Sequence, residues 1–231
     1  MLKRLFLIAL LAMVMVACGG EEVVEDTAEV DTPSETMVDD TVETVVEESE
    51  AVGVTEVEPV RNGTFTVDTA NSKVQWLGAK AVGDSHSGTL DVSEGSLTIE
   101  DGLLVGGEFV VDMTTLDSDE GIGRLENHLK SDDFFSVDTY PTATLVINSA
   151  ELVKQEEYNV SGDLTIKGAT HPIEFKANAF EWDGVINARA EITFDRSLYD
   201  VRYGSGSFFS DLGDDLINDE IDLTVTLVAN Q

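Results

Sequence analysis

From Thr64 onward, apolar residues recur at every second position in one run after another. Phe65 and Val67 alternate with polar neighbours over 64–69, and Val74 and Trp76 do so over 73–82. Val105, Gly107, Phe109, Val111 and Met113 share one phase, as do Ala143, Leu145 and Ile147. The pattern returns in Val160, Gly162, Leu164 and Ile166, then in Ile173, Phe175, Ala177 and Ala179. Ile186, Ala188, Ala190, Ile192 and Phe194 alternate with Asn187, Arg189, Glu191 and Thr193, and Ile221, Leu223, Val225 and Leu227 close the chain. A period of two places these residues on one face of a pleated strand, which is the pattern of a half-buried sheet. Glu94-Gly95, Asp101-Gly102 and Asp183-Gly184 supply turn signals between runs.

One segment departs from this period. Ile122, Leu125 and Leu129 stand at helical spacing, which predicts a short helix over 122–130, followed by Asp132-Asp133-Phe134-Phe135. The stretch 196–215 is rich in Gly, Ser and Asp and reads as a long irregular loop. The fold class expected is therefore all-β and antiparallel, with one short helix and with its edges removed by closure.

The chain begins differently. Lys3 and Arg4 precede an apolar stretch from Leu5 to Ala17, the order of a secretory signal and too short for a membrane span. Met15-Val16-Ala17-Cys18 resembles a bacterial lipobox, and Cys18 is the only cysteine of the 231 residues. The resemblance implies acylation of Cys18, cleavage after residue 17 and attachment to a membrane by lipid chains. Residues 18–60 are rich in Glu, Asp, Val and Thr, with fifteen acids and no base after Cys18, and read as a disordered acidic tether. Gly19-Gly20-Glu21-Glu22 resembles outer-membrane and surface-export sorting signals. The expected location is the bacterial cell envelope, lipid-anchored at the outer membrane. Residues 61–231 form the folded domain.

Charge narrows the function. The whole chain carries a formal −33, so no nucleic-acid partner is expected, because phosphate contacts need clustered Lys and Arg. A lone cysteine excludes an internal disulfide framework. Catalytic patterns are poor: Gly83-Asp84-Ser85-His86-Ser87 misses the nucleophile elbow at its last position. His86, His128 and His171 lack metal-ligand spacing, and Asp117-Ser118-Asp119-Glu120-Gly121 departs from a calcium loop in the position of its glycine. No catalytic residue, metal or cofactor is expected, and no protein partner is indicated.

The motifs themselves carry a resemblance. Phe65-Thr66-Val67-Asp68 with Ser72-Lys73-Val74-Gln75-Trp76, Lys80 with His86-Ser87-Gly88, and 107–113 (GEFVVDM) resemble the YceI-like domain. So do 128–135 (HLKSDDFF), Tyr140-Pro141-Thr142-Ala143-Thr144, 162–168 (GDLTIKG) with Thr170 and Pro172, and Asp195-Arg196 ahead of Tyr203-Gly204. The match runs over about 64–229. It implies an eight-stranded, antiparallel, lipocalin-like barrel that holds a polyisoprenoid or similar long apolar chain. Eight strands enclose just enough room for side chains or one small ligand. A ~40-carbon chain at about −0.3 kcal/mol per atom reaches roughly −12 kcal/mol without polar chemistry. Alternation alone is the same for a hollow barrel and a filled one.

On this reading Trp76, Phe109, Val111, Leu145, Leu164, Phe175 and Phe194 share the inward phase and line a cavity, with Phe134 and Phe135 at its mouth. His86, His128 and Arg196 are expected at the rim, facing a polar head group. Two functions follow. One is a membrane-tethered, non-catalytic carrier of an isoprenoid lipid. The other is an acidic interaction module recruiting a basic or cationic partner, its barrel filled by side chains.

Overall fold

The computed structural model describes residues 61–231; the signal segment, Cys18 and the acidic tether lie outside them. Nine strands and one helix follow in order: β1 Gly63–Val67, β2 Lys73–Ala79, β3 Ser85–Glu100, β4 Leu103–Ser118, α1 Gly123–Lys130, β5 Thr142–Lys154, β6 Glu157–Ile166, β7 Ala169–Trp182, β8 Val185–Asp195 and β9 Glu220–Asn230. All neighbouring pairs are antiparallel, and β2 pairs with both β3 and β9, so the sheet closes on itself as an eight-stranded barrel. Closure leaves no long unpaired edge.

Nine segments fill eight positions because β1 and β2 lie end to end in one gap between β3 and β9. β1 pairs with Ser96–Ile99 and with Ala229 and Asn230, while β2 pairs with Ser85–Asp91 and Asp222–Thr226. The interruption between them is a local turn: Asp68 Oδ1 accepts from the amides of Ala70 (3.1 Å) and Asn71 (3.3 Å). An aspartate bonding its own downstream backbone is a standard way to break a strand. Ser72 Oγ then accepts from the amide of Val228 (3.0 Å), restoring the ladder where β2 begins.

The period-two runs count eight strands by a different division. They treat 64–69 and 73–82 as separate strands and contain no run for β3. In β3 the buried phase changes partway: Leu90 and Val92 face inward at even positions, Leu97 and Ile99 at odd ones. The register against β4 shifts between Val92 and Glu94, a β-bulge that adds a residue and flips the following side chains. Glu94-Gly95 is thus part of this bulged strand and not a turn. A second shift, between Thr98 and Ile99, makes Leu104 the buried residue at the start of β4 instead of the expected Val105. Asp101-Gly102 and Asp183-Gly184 do turn tightly, with positive φ at both residues of each pair (50° and 76°; 52° and 78°), the primed geometry that matches strand twist.

The polarity of the strands separates two ends. The hairpins at Asp101-Gly102 and Asp183-Gly184, the start of β1 and the end of β9 share one end. The other carries α1, the 131–141 segment and the 196–219 segment, which all follow strands ending there. Among the described residues no helix is long and apolar enough to cross a membrane.

Candidate functional site

The barrel is hollow. Its inward side chains enclose a cavity of about 330 Å³, within the range of small-ligand sites. The strands present large apolar groups on one side: Trp76 from β2, Phe109 and Val111 from β4, Leu145 from β5, Leu164 from β6, Phe175 from β7 and Phe194 from β8 all line it. Phe134 and Phe135, just after α1, line it as well. The seven residues on the apolar phase of their strands and the two phenylalanines after the helix therefore line the same space.

The space exists because one wall is built from alanine. Ala177 and Ala179 of β7 face Ala190 and Ala188 of β8 in register, and all four line the cavity. A methyl group leaves unfilled the volume that a Leu or Phe would occupy at an inward position. Across the barrel, Trp76 is fixed by its own geometry. Its indole Nε1 donates to the carbonyl of Asp117 (3.1 Å), and its cross-strand partner is Gly88. A Cβ at residue 88 would overlap both the Asp117 carbonyl and the indole, so only glycine lets the ring lie flat there.

The helix-bearing end forms the mouth. Leu125 and Leu129, one turn apart on α1, turn their side chains into the cavity. His128 packs edge-on against Phe134 (5.0 Å between ring centroids) and Tyr203 (4.6 Å), tying α1 to the 196–219 segment. Its Nε2 lies 3.1 Å from Asp133 Oδ2. His86 Nδ1 lies 3.3 Å from Glu120 Oε1, and the Ser118 hydroxyl donates to the other oxygen of Glu120 (2.7 Å). The Ser118 hydrogen bond is the main reason the Glu120 carboxyl sits below its ordinary value; His86 adds to it. Lys80 Nζ is 3.8 Å from Asp215, and Ala81 donates to the Leu216 carbonyl (2.9 Å), hooking the β2–β3 loop onto the 196–219 segment.

His86 and His128 thus stand at the rim as expected. Arg196 does not act there as a free cation. It is 1% exposed, and its guanidinium donates to the carbonyls of Asn218 (3.0 Å), Val201 (3.0 Å), Tyr203 (2.9 Å) and Ile217 (3.2 Å). Asp219 Oδ1 lies 3.3 Å from Nη2, an ion pair without hydrogen-bond alignment. Burial lowers the Arg196 pKa while Asp219 and Asp195 oppose that shift. Five donors in a planar fork suit this work: Arg196 pins the irregular segment over the barrel mouth.

Lys80, Asp84, Leu125, Leu129 and Tyr203 line the cavity without having been expected there. Leu125 and Leu129 carried a signal in their helical spacing, which showed an apolar face without showing what it covers. Lys80, Asp84 and Tyr203 sit in loops, where period carries no information. Chemically the site offers enclosure and a few hydrogen-bonding edges. Among the described residues neither the His86 nor the His128 imidazole bonds a Ser or Thr hydroxyl, and no cluster of three or more His, Cys, Asp or Glu side chains is placed to hold a metal ion.

A model of the YceI-like domain matches residues 65–229, nearly the whole barrel. The chain belongs to the YceI-like family. It is 30% identical over 90 residues to a UPF0312 protein of Pseudomonas putida strain W619, covering 39% of this chain and 47% of that one. It is 28% identical over 107 residues to Protein YceI of Shigella flexneri, covering 46% and 53% respectively. The chain therefore spans about half the length of these relatives. BcnA of Burkholderia cenocepacia has the same fold, with a TM-score of 0.59 and 23% identity over 71% of this chain and 99% of that one. A polyisoprenoid-binding domain from Saccharophagus degradans, implicated in plant cell wall breakdown, aligns with a TM-score of 0.55 and 17% identity over 72% and 97%. The fold is thus shared over nearly the whole length of these two neighbours, while the pairwise matches to the curated relatives cover only part of the barrel.

Proposed function

We propose that this YceI-like protein is a non-catalytic carrier that encloses the apolar chain of an isoprenoid lipid, held at the bacterial envelope by acylated Cys18. The observation that carries this reading is the hollow interior, whose wall of aromatic and aliphatic side chains faces four alanines. Such a surface gains free energy only from an apolar occupant, at about 25 cal/mol per Å² removed from water. The isoprenoid class is supported by the Saccharophagus neighbour, described as polyisoprenoid-binding. A side-chain-filled scaffold, the other reading of the sequence, fits a cavity of about 330 Å³ poorly. Organic extraction of the purified protein followed by mass spectrometry tests the proposal. A stoichiometric isoprenoid is expected. Protein that emerges from its native membrane without any apolar ligand, and takes up none from added isoprenoids, would overturn it.

A further inference from the structure

Beside the mouth lies a second, shallower pocket of about 350 Å³, lined by His86, Ile122, Arg124, Leu125 and His128. Three of these, His86, Leu125 and His128, also line the barrel cavity, so the two spaces share a partition made of two imidazoles and one leucine. On its inner side the wall is almost wholly apolar; on its outer side Ile122 and Leu125 keep much of the lining apolar, and His86, Arg124 and His128 add nitrogen-bearing edges.

Their charges are largely spent. The His86 and His128 imidazoles face Glu120 and Asp133, and at the same mouth Lys80 and Arg196 face Asp215 and Asp219. Asp84 lines the cavity and makes no ion pair among the described residues. Arg124 is the one cation of the outer pocket that makes no ion pair among the described residues. Carboxylates at the mouth therefore outnumber permanent cations, and a multiply charged anion entering it meets like charge. An uncharged oxygen meets a donor in Arg124, and a hydroxyl can also donate to an imidazole nitrogen turned away from Glu120 or Asp133.

We propose that this outer pocket is a head-group subsite selective for an uncharged, acceptor-bearing head, such as a hydroxyl or ring carbonyls, and that it rejects a diphosphate. This rests on the carrier reading, because the tail must lie in the adjoining cavity. A head in the outer pocket and a tail in the barrel would pass between His86 and His128.

The experiment measures binding of four probes with the same geranylgeranyl tail: the hydrocarbon, the alcohol, a naphthoquinone conjugate and the diphosphate. The alcohol and quinone are expected to bind tightest, with the diphosphate at least about tenfold weaker and gaining on them as salt rises. Arg124→Gln should weaken the alcohol and quinone about three- to tenfold and leave the hydrocarbon unchanged. The exposed position of Arg124 makes this variant safe for folding. A diphosphate that binds as tightly as the alcohol overturns the selectivity. Equal affinity of all four probes, or an unchanged quinone affinity in Arg124→Gln, overturns the subsite while leaving the cavity intact. Failure of the hydrocarbon and every other probe removes the carrier reading and the subsite with it.

Discussion

His128 of the helix and Tyr203 of the long C-terminal segment meet edge to face across the barrel mouth, ring centroids 4.6 Å apart and planes at 81°. Neither residue belongs to a strand, and they come from segments more than seventy positions apart in the chain. Phe134 completes the group, 5.0 Å from His128 and 5.2 Å from Tyr203. Aromatic contact between α1 and the segments at the mouth therefore joins the cover of the cavity together, and backbone ladders hold the barrel wall.

This division of labour predicts that the cover loosens without the barrel unfolding. Aromatic pairs contribute about 0.5–1.5 kcal/mol beyond their buried area, and Tyr203 is 46% exposed. Tyr203→Ala should therefore speed ligand release several-fold, up to about tenfold, with little change in Tm. Stopped-flow displacement of a fluorescent isoprenoid gives the rate. An unchanged release rate would show that exchange does not pass this contact.

Arg196 behaves oppositely. Arg196→Met leaves the largely buried carboxylate of Asp219 without its countercharge and four carbonyls without their donor. Breaking a buried pair from one side costs about 3–5 kcal/mol, which for a domain of this size lowers Tm by roughly 6–20 °C. Calorimetry checks it. A Tm within a degree or two of wild type would mean that Arg196 does not pin the segment.

Much of this architecture was legible in the alternation of the chain, and the places where it was not have physical causes. Leu164 and Phe194 could be placed inside from period alone because β6 and β8 each keep one buried phase from end to end, and Phe109 because it sits in the stretch of β4 between two register shifts. β3 escaped because its bulge at Val92–Glu94 flips the buried phase midway, so no run of sufficient length keeps one parity. Arg196 was placed at the rim on charge and position, yet its partners are backbone carbonyls, and no side-chain pattern advertises those. Hollowness was written in Ala177, Ala179, Ala188 and Ala190. It becomes readable only when β7 and β8 are known to be neighbours, since small residues mark empty space only against a known opposite wall.

Alkaline stability should report on Tyr199, 2% exposed beside Phe194 and His171. Burial raises its phenol above the ordinary value, and Asp195 adds to the shift. A group raised in the folded state favours folding while protonated. Its contribution is complete below about pH 10, the unfolded value, and is lost as pH climbs toward the folded one. Tyr199→Phe should flatten the fall in Tm above about pH 10 while leaving neutral pH nearly unchanged. The same alkaline decline in both proteins would assign it to other groups.

Anchoring is tested at Cys18, outside the described residues. Cys18→Ser removes the thiol that acylation requires, so the protein should move from the detergent phase to the aqueous phase on phase partitioning. Retention in detergent at the wild-type level would exclude the lipobox reading of Met15-Val16-Ala17-Cys18.

The alanine wall offers the sharpest separation of cavity from core. Ala188 faces Ala179 across the β7–β8 ladder and lines the lumen, and Ala188→Phe adds a ring where the barrel is empty. In a filled interior the same change would overpack the core and cost about 1–3 kcal/mol. In a hollow one the ring gains apolar contact at little cost in strain, so Tm should hold or rise. The occupant should be displaced at the same time, because ring and ligand compete for one space. Co-purified lipid should drop severalfold in Ala188→Phe, while Ala188→Ser, which keeps the volume, should retain it. A folded Ala188→Phe protein carrying full lipid would place the ligand elsewhere, and an unfolded one would show that the space beside β8 is not available to any apolar group.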